Sequence, residues 1–487
     1  MKTTKNQLLI LILTCITAFF LIYSPHLSNP FPLHIDEYHH ISSSINLKQN
    51  NLTPNLSNTE IGFHIILLAI SYLTNLILSY KYLAAIYIIL TILTLFTITK
   101  QETKQFKESY LISILTIIFL ISIKSNANLL GFWFFTPLTL AIPLIYLYIH
   151  LFTSGINHQN KKHLIYSLLI ILLLLPIHAI SVLFSIPILL IYLIIKRNKI
   201  NPLKKTLSLF LAIPLIGIII FKLTTQFPTN QLLQKLFSFM LFKKGWGVLE
   251  LNNSPFELYS PIAYILAIIG LLAILSNKKY RENLSIHIIW PLTLILSITI
   301  FKLTTLSFLS PYQRNLFYLV ISLPFLSAFG LYQIIRYLKK LSKNPTTYKI
   351  LKTLLILIII FLTFKSYYLI PEQTQLYKTI DQSDYEALTF LSQYPSSTIL
   401  TPIQISMAVF PISSHNPLAT YYFYGNRQDL EQFYQTTNCN TKNQIITKHN
   451  ISFIYSKSKI NCDWEEIYNR DGNIIYKTKQ PSPTPSS

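Results

Sequence analysis

The sequence predicts a polytopic α-helical membrane protein with a small α/β domain at its C-terminal end. Hydrophobic residues make up 51% of the 487 residues and charged residues only 12%, and the mean hydropathy is +0.44. Long apolar runs recur up to Ile370, and the composition after that residue is that of a soluble domain. An average soluble domain carries about 25% charged residues, so a water-soluble globule and a disordered chain are both excluded.

The apolar runs predict the membrane helices. A helix needs about 20 mainly apolar residues to cross a bilayer, and it satisfies its own backbone polar groups in hydrocarbon. In chain order the runs are Gln7–Tyr23, Ile61–Leu78, Tyr82–Ile98, Tyr110–Ile123, Phe132–Phe152, Leu164–Ile195, Leu207–Phe221, Tyr259–Leu275, Leu284–Phe301, Asn315–Ile335 and Ile350–Ile370.

One of these runs, Leu164–Ile195, is best explained as two short helices. Basic clusters lie at both of its ends, and Pro176 and His178 lie near its middle. Proline interrupts a helix because it lacks a backbone N–H and clashes with the preceding turn. We therefore predict a turn at the outer face of the membrane around His178.

The basic residues orient the predicted helices. The chain carries 40 Lys and Arg against 18 Asp and Glu, a net charge of +22. Only nine of the basic residues follow Ile370, together with ten acidic residues. Of the other 31 basic residues, 19 lie in five short loops between apolar runs, and such loops mark the cytoplasmic side of a membrane. Solvated loops explain the charge, so the bilayer is an expected partner and nucleic acid is not.

The same rule predicts the side of each remaining segment. Lys2 and Lys5 place the N-terminus in the cytoplasm, so the first helix delivers the loop 24–60 to the exterior. The C-terminal domain is then extracytoplasmic as well. Two full crossings between Glu60 and Lys100 would put Lys100 outside, so either one run there does not cross fully or a short crossing is hidden nearby. We therefore expect 11 or 13 spans in a multi-pass protein of the cell membrane.

The chain divides into three predicted regions. Residues 1–370 form the multi-spanning domain, which includes the outer loop 24–60, and residues 371–480 form the extracytoplasmic α/β domain. The Pro/Ser-rich residues 481–487 have nothing to bury and are expected to be disordered. For the α/β domain the sequence predicts a helix opening at Ser383–Glu386, strands at Ser397–Thr401 and Ile451–Tyr455, and helix N-caps at Asn426 and Asn440.

Two cysteines of the α/β domain, Cys439 and Cys462, are candidates for a disulfide. The exterior of a cell is oxidising, and neither cysteine belongs to a CxxC or Cys/His metal-binding pattern. A pair of free thiols stays the alternative, since a bridge requires a close approach of the two backbones.

The segment His34–His40 contains the most informative residue, Asp36. It is the only aspartate in the multi-spanning domain, and Glu37 beside it is one of seven glutamates there. A carboxylate at a membrane interface can serve as a general base or hold a cation, and ionisable groups near a membrane interior are usually functional. The alternative is structural, namely an acid that caps a helix or pairs with Lys48.

This Asp-Glu pair follows the first helix directly, in the first outer loop of a multi-spanning protein with a C-terminal outer domain. The arrangement resembles the GT-C superfamily of membrane glycosyltransferases, which includes protein O-mannosyltransferases, aminoarabinose transferases and oligosaccharyltransferases. The resemblance implies an inverting transfer of a hexose or pentose from a polyprenyl-phosphate-linked donor. The acceptor would be a protein, a lipid or a glycan on the outer face.

Applied to this sequence, the resemblance assigns roles to residues of the loop. Asp36 becomes the base that removes the acceptor proton as C1 of the sugar is attacked, and Glu37 becomes a supporting acid. If a divalent cation such as Mg²⁺ or Mn²⁺ takes part, Asp36 and Glu37 are its candidate ligands. His39 and His40 are candidates for substrate binding, with structural hydrogen bonding as the alternative.

A phosphate leaving group also needs cations at the outer face. Arg314, at the start of a late helix, is the best candidate because guanidinium binds phosphate bidentately and stays charged. GT-C proteins often carry an arginine in a similar place. Lys222 and Lys302 each lie in a Phe-Lys-Leu-Thr-Thr sequence, and His178 lies at the predicted turn. The alternatives are interfacial anchoring for the three cations and, for His178, bonding to carbonyls freed by Pro176.

Other classes of function make different predictions. A transporter or flippase of lipid-linked glycan predicts paired repeats and ionisable groups near the bilayer midplane, and neither is evident. A receptor or scaffold predicts that Asp36 can be replaced freely. The sequence contains no Walker, GxSxG, HExxH or dinucleotide-binding motif. Glycosyl transfer is therefore the leading hypothesis.

Overall fold

The computed structural model describes most of the chain. Lys222, most of the run Leu207–Phe221 and the tail 481–487 lie outside the described residues. The described residues are 4–49, 60–125, 131–210, 212, 240–243, 258–342, 344–365, 378–421 and 425–478.

The chain forms two compact units. Most of the residues before 370 belong to the first unit, and the C-terminal part of the chain belongs to the second. The second unit also takes in two segments from the N-terminal quarter of the sequence. The first unit is Met1–Tyr23, Leu56–Phe63 and Ala84–Leu369, and the second is Ser24–Asn55, His64–Leu83 and Ile370–Ser487.

Helices dominate the described part of the chain. In chain order they are α1 (Lys5–Tyr23), α2 (Ile35–Gln49), α3 (Ile61–Ser71), α4 (Leu76–Glu102), α5 (Ser109–Ile121), α6 (Pro137–Asn157), α7 (Lys161–His178), α8 (Ile180–Leu183), α9 (Ser185–Ile195), α10 (Pro261–Ser276), α11 (Lys278–Asn283), α12 (Ile286–Thr304), α13 (Tyr312–Ser322), α14 (Pro324–Leu341), α15 (Pro345–Lys365), α16 (Gln382–Leu391), α17 (Ser406–Ser413), α18 (Arg427–Gln435) and α19 (Cys439–His449). The strands are β1 (Leu241–Lys243), β2 (Leu306–Phe308), β3 (Thr398–Leu400), β4 (Asn416–Pro417), β5 (Ile451–Ser456), β6 (Glu465–Arg470) and β7 (Asn473–Lys477).

Seven of the described helical segments are long and apolar enough to cross a membrane. They agree with the predicted multi-pass architecture, whereas the count of 11 or 13 spans stays a prediction. The seven segments are Lys5–Leu27, Leu76–Glu102, Pro137–Asn157, Lys161–His178, Ile286–Thr304, Tyr312–Leu341 and Pro345–Lys365, and the shorter apolar segments are Ile61–Ser71, Ser109–Ile121, Ile180–Ile195 and Pro261–Ser276.

The run Ile61–Leu78 does not form one crossing helix. Its helix α3 has 11 residues, which corresponds to about 16 Å and falls short of the roughly 30 Å hydrocarbon core. A new helix, α4, starts at Leu76 because the Asn75 side chain accepts the N–H of Leu78 at 3.2 Å and so caps it. This supports the first alternative given above, that one of the two runs between Glu60 and Lys100 does not cross fully.

The predicted break in the run Leu164–Ile195 is confirmed. Helix α7 ends at His178, two residues after Pro176, and a single turn, α8, separates it from α9. At its other end Asn160 caps α7 by accepting the N–H of Lys162 at 3.0 Å. The proline and the cap thus delimit this helix as the sequence indicates.

In the first unit, α10 and α14 pack with their backbones in close contact. A Cβ atom on Gly270 would lie 2.1 Å from the carbonyl oxygen of Leu326, and one on Gly330 would lie 2.0 Å from that of Leu266. Only glycine permits this approach, which is a common means of packing helices in membranes. The hydroxyl of Ser327 strengthens the contact by donating to the carbonyl of Ala263 at 2.8 Å.

The second unit contains a five-stranded sheet in the order β4-β3-β5-β7-β6. β3 pairs in parallel with β4 and β5, whereas β7 runs antiparallel to β5 and β6. Helices α18 and α19 cover the sheet through an apolar core that includes Leu400, Phe433, Ile446, Ile454 and Tyr476. Both predicted strands and the helix predicted at Ser383–Glu386 are therefore confirmed, as β3, β5 and α16.

One predicted helix cap in this unit is correct and one is wrong. Asn426 caps α18 by accepting the N–H of Asp429 at 3.0 Å. Helix α19, however, is capped by Asn438 and not by Asn440, because Cys439 already belongs to the helix. Asn438 accepts the N–H of Asn440 at 2.8 Å. The predicted disulfide between Cys439 and Cys462 is confirmed.

Candidate functional site

The Asp-Glu pair lies in a helix and not in a loop. Helix α2 begins at Ile35, so Asp36 and Glu37 occupy its first turn. The carboxylate oxygen Oε2 of Glu37 accepts the backbone N–H of Leu33 at 2.7 Å and that of His34 at 3.0 Å. A glutamate at the third helical position that reaches back in this way satisfies N–H groups that have no partner within the helix. The segment predicted as an outer loop therefore contains a helix, and Glu37 stabilises the first turn of that helix.

Glu37 has the structural role that the sequence allowed as its alternative. The residue is buried, with 1% of its surface exposed. A buried carboxylate that receives two backbone N–H groups is stabilised in its charged form and is held in one orientation. Its service as a catalytic acid or a metal ligand stays a prediction.

Asp36 has a different environment, although it is the adjacent residue. Its side chain is 23% exposed, and Nδ1 of His34 lies 3.6 Å from Oδ2 of the Asp36 carboxylate. That Nδ1 also accepts the backbone N–H of Asp36 at 3.1 Å. Lys48, the other partner considered from the sequence, lies over the ring of Tyr72 at 5.1 Å. Within the described residues, no side chain donates a hydrogen bond to the Asp36 carboxylate.

Two histidines adjoin Asp36 on α2. His40 follows it by four residues and so lies on the same face of the helix. Its Nδ1 is 3.0 Å from Nε2 of His64 on α3. The ring of His39 is 5.6 Å from that of His40, and burial lowers the pKa of His39 while the nearby Asp36 opposes that shift.

His64 is a residue that the sequence reasoning missed. A signal was present, because a lone histidine inside the apolar run Ile61–Leu78 is costly unless it has a partner. The partner, His40, is 24 residues away in sequence, so only the tertiary structure identifies it. The pair places two imidazoles beside the helix face that carries Asp36.

A cavity of about 270 Å³ adjoins α2 in the second unit. His39, Ser42 and Asn46 line it from α2, and Ser406 lines it from α17. Its wall also includes Thr420, whose buried hydroxyl oxygen has no hydrogen-bond partner in the described part of the structure. None of the described residues that line the cavity is a lysine, an arginine or a carboxylate, which makes it suitable for a neutral ligand that forms hydrogen bonds.

Contacts with the C-terminal part of the chain hold the start of α2 in place. The ring of Phe31 stacks on that of Tyr385 at 4.8 Å, and Thr379 donates its hydroxyl to the carbonyl of Leu33 at 3.2 Å. Phe31 and Leu33, which make these contacts, precede Asp36 by a few residues. The orientation of the first turn of α2 thus depends on residues far away in sequence.

The first unit contains the predicted phosphate-binding residues. Arg314 is the third residue of α13, so its predicted position at the start of a late helix is confirmed. It interacts electrostatically with His178 and Tyr318. His178 and Tyr318 are also joined through Ser181, whose Oγ is 2.6 Å from Nδ1 of His178 and 3.0 Å from the Tyr318 hydroxyl. His178 is therefore hydrogen-bonded to the Ser181 side chain. The structural alternative given from the sequence was a hydrogen bond to a backbone carbonyl.

Lys302 lies near the same helix start but has an aromatic contact. Its ammonium group is 5.1 Å from the centre of the Tyr312 ring. That ring also stacks on Phe301 at 4.3 Å. This contact fits the interfacial anchor that was the alternative for Lys302. The structure thus groups Asp36, Glu37, His39 and His40 in the second unit, and Arg314 and His178 in the first.

Comparison with known proteins identifies the fold. No protein-family model matches the sequence, and no curated protein matches it. Among solved structures, the apo oligosaccharyltransferase of Archaeoglobus fulgidus matches with a TM-score of 0.59 and 13% identity over 92% of this chain and 69% of that chain. The fold is that of an archaeal oligosaccharyltransferase.

Two further oligosaccharyltransferase structures from the same organism match this fold similarly. The complex with Zn and sulfate has a TM-score of 0.57 at 13% identity and covers 92% of this chain and 67% of that one. The complex with an inhibitory peptide and a dolichol-phosphate has a TM-score of 0.58 at 12% identity and covers 93% and 69%. The resemblance to oligosaccharyltransferases stated from the sequence therefore holds for the fold, and the seven long apolar helical segments make this a multi-pass membrane protein.

Proposed function

We propose that the protein is a membrane glycosyltransferase that moves a sugar from a polyprenyl-phosphate-linked donor to an acceptor on the outer face. The main observation in support is the position of Asp36 in a chain that matches the oligosaccharyltransferase fold over 92% of its length. Asp36 lies in the first turn of the helix that follows the first long apolar segment, and its side chain is 23% exposed. An acid in that position is available to a substrate.

In the proposed reaction, Asp36 is the general base. The acceptor oxygen or nitrogen attacks C1 of the sugar from the side opposite the phosphate, which inverts the configuration at C1. The new bond from C1 to the acceptor forms as the bond from C1 to the phosphate oxygen breaks. The acceptor proton passes to the Asp36 carboxylate, and the polyprenyl phosphate leaves with the electron pair of the broken bond.

Arg314 is our candidate for binding the donor phosphate. Its guanidinium group keeps its charge at any physiological pH and can donate two parallel hydrogen bonds to phosphate. The hydroxyl and imidazole groups of Tyr318 and His178 are its electrostatic neighbours, so a phosphate there would also find neutral hydrogen-bond donors. The related enzyme has been solved with a dolichol-phosphate, which supports this donor class.

A divalent cation would be held by the imidazoles of His40 and His64. Their facing nitrogens are 3.0 Å apart and offer two nitrogen ligands. Imidazole ligands suit zinc and related transition metals, whereas magnesium prefers oxygen ligands. Of the two cations expected from the sequence, Mg²⁺ and Mn²⁺, this donor set favours the transition metal, in keeping with the Zn complex of the related enzyme. A cation there would neutralise charge on the phosphate group.

The acceptor is proposed to enter the cavity beside α2. Its uncharged polar lining suits the hydroxyl and amide groups of a peptide, and His39 in its wall lies one helical turn from Asp36. The related enzyme has been solved with a peptide. A protein acceptor is accordingly the first to be tested, before lipid or glycan acceptors.

The test is a transfer assay with defined polyprenyl-phospho-sugars and the full-length protein in detergent. We expect Asp36→Asn to lower the transfer rate by about a hundredfold or more, which is the usual contribution of a positioned base. Asp471→Asn is the matched control, because Asp471 is an exposed aspartate in the same unit. EDTA should abolish the metal-dependent part of the rate, and Zn²⁺ or Mn²⁺ should restore it. A correctly folded Asp36→Asn protein with wild-type activity would disprove the base mechanism.

A further inference from the structure

A second cavity lies in the first unit, at the end of the helices that carries the lysine-rich loops. It has a volume of about 190 Å³ and lies between the last turns of α4 and α6 and the first turn of α12. Lys104, Asn157 and His158 are among its lining residues. The positive charge of these loops predicts that this end faces the cytoplasm. None of these residues takes part in the glycosyl transfer proposed above.

Asn157 contributes an amide side chain to the wall of this cavity. Behind it, the hydroxyl of Tyr192 interacts with the side chains of Asn157 and Ser285. Polar groups in folded proteins are nearly always paired, and the Asn157 amide has enough donor and acceptor positions to bond to Tyr192 and to a ligand as well. The amide of Asn157 can present either its oxygen or its NH2 group to such a ligand.

Basic side chains lie close to this cavity. Lys104 lines the cavity, and within the described residues no acid lies within ion-pair distance of it. Lys199 donates its ammonium group to the carbonyl of Asn157 at 3.2 Å and so reaches the same helix end. Burial lowers the pKa of His158, and repulsion from Lys104 and Lys199 lowers it further. An anion in the cavity would relieve this repulsion.

Glu102, the acid among the described residues that line this cavity, already has hydrogen-bond partners. Both carboxylate oxygens of Glu102 are in contact with imidazoles, with Oε1 2.8 Å from Nδ1 of His150 and Oε2 2.8 Å from Nε2 of His287. Its charge is thus directed toward the two rings and is not available to the lysines. The cavity keeps a net preference for a negatively charged ligand.

We propose that this cavity binds the phosphate of an anionic phospholipid headgroup. Basic pockets between membrane helices at the cytoplasmic side are known to bind such headgroups, because the phosphate lies at the depth of the helix ends. Lys104 would pair with the phosphate, and the amide of Asn157 would donate to one of its oxygens. The acyl chains would remain in the bilayer, in contact with the apolar outer faces of the helices. A lipid bound there would hold the ends of α4, α6 and α12 together.

The test uses the full-length protein in detergent, titrated with phosphatidylglycerol, phosphatidylcholine or inorganic phosphate, with bound molecules counted by native mass spectrometry. We expect phosphatidylglycerol to bind more tightly than phosphatidylcholine and inorganic phosphate to compete only weakly. Lys104→Gln should weaken phosphatidylglycerol binding about fivefold, the usual effect of one basic residue near a membrane surface. Lys162→Gln is the matched control, because Lys162 is exposed at the same lysine-rich end but does not line the cavity.

A second variant, Asn157→Leu, removes the amide that would donate to the phosphate without changing the charge, and it should also weaken binding of phosphatidylglycerol. The proposal is overturned if the two lipids bind equally well, or if Lys162→Gln weakens binding as much as Lys104→Gln. Tight saturation by inorganic phosphate would instead identify a site for a soluble anion and would equally overturn it. Because the readout is bound lipid and not sugar transfer, failure here leaves the glycosyltransferase proposal untouched.

Discussion

Two clusters in this protein combine acids with histidines, and they differ in how the carboxylate is hydrogen-bonded. In the first unit, both oxygens of Glu102 lie 2.8 Å from imidazole nitrogens, so this cluster is closed. In the second unit, no side chain of the described residues donates a hydrogen bond to the Asp36 carboxylate, and His40 and His64 face each other. The same residue types thus form a closed link between helices in one place and leave a carboxylate partly exposed in the other.

The difference has a physical origin. Glu102, His150 and His287 lie on three separate helices, and a buried charge there must be neutralised within the protein. Asp36 is partly exposed in the first turn of α2, where the backbone N–H groups already favour a negative charge. Partly exposed acids of this kind are better candidates for chemistry than acids whose hydrogen bonds are all made within the protein.

The largest expected effect comes from opening the closed cluster. Glu102→Ala should lower the stability of the protein by about 3 kcal/mol, because it leaves the buried imidazole of His150 and the partly buried imidazole of His287 without their acceptor. Thermal unfolding in detergent would measure this, with the exposed Glu282→Ala as the control. Transfer per folded molecule should fall far less than in Asp36→Asn. If Glu102→Ala proved as stable as the wild type, the cluster would not be a structural link.

Asp36→Asn should show the opposite pattern. We expect a loss of about 2.7 kcal/mol in transition-state stabilisation, equivalent to a hundredfold slower transfer. The unfolding temperature should stay within experimental error of the wild type, because no side chain of the described structure relies on this carboxylate for a hydrogen bond. Single-turnover transfer together with a thermal scan separates the two effects. A drop in stability without a loss of turnover would reverse the roles of the two clusters.

The histidines permit a similar comparison with a smaller effect. His64→Ala should reduce bound transition metal at least about tenfold, since removing even an outer partner of a metal site costs that much. His150→Ala should leave metal content unchanged and lower stability instead. Metal analysis of the purified variants after dialysis against a fixed Zn²⁺ concentration provides the measurement. Equal metal content in the wild type and His64→Ala would remove His64 from the proposed ligand set.

The smallest effect concerns a third acid–imidazole contact, between Asp429 and His449 in the second unit. Hydrogen bonds from His449 and Lys448 lower the pKa of Asp429. An acid whose pKa is lower in the folded state contributes stability above its unfolded pKa of about 3.9 and loses it as the pH falls through the folded value. Wild type should therefore lose more stability than Asp429→Asn between pH 5 and acid conditions, as measured by thermal scans at stepped pH. Identical acid sensitivity would contradict this assignment.

Local signals in the sequence were sufficient for several elements. The break at His178 follows from Pro176, and the cap at Asn426 follows from the preference of asparagine for that position. The prediction of Asn440 as a cap was wrong because α19 already begins at Cys439 and is capped by Asn438, another asparagine two residues earlier. Glu37 shows the same limit, since capping and catalysis both require a carboxylate there.

By itself, the sequence determined that this is a polytopic helical membrane protein and that Asp36 is its most unusual charge, because apolar length and scarcity of acids are properties of composition. Only the tertiary structure decided which acids are paired. It brought His64 to His40 across 24 positions, and it enclosed Glu102 between two histidines from other helices. Pairing depends on distances between elements that are remote in sequence, and no local pattern encodes those distances.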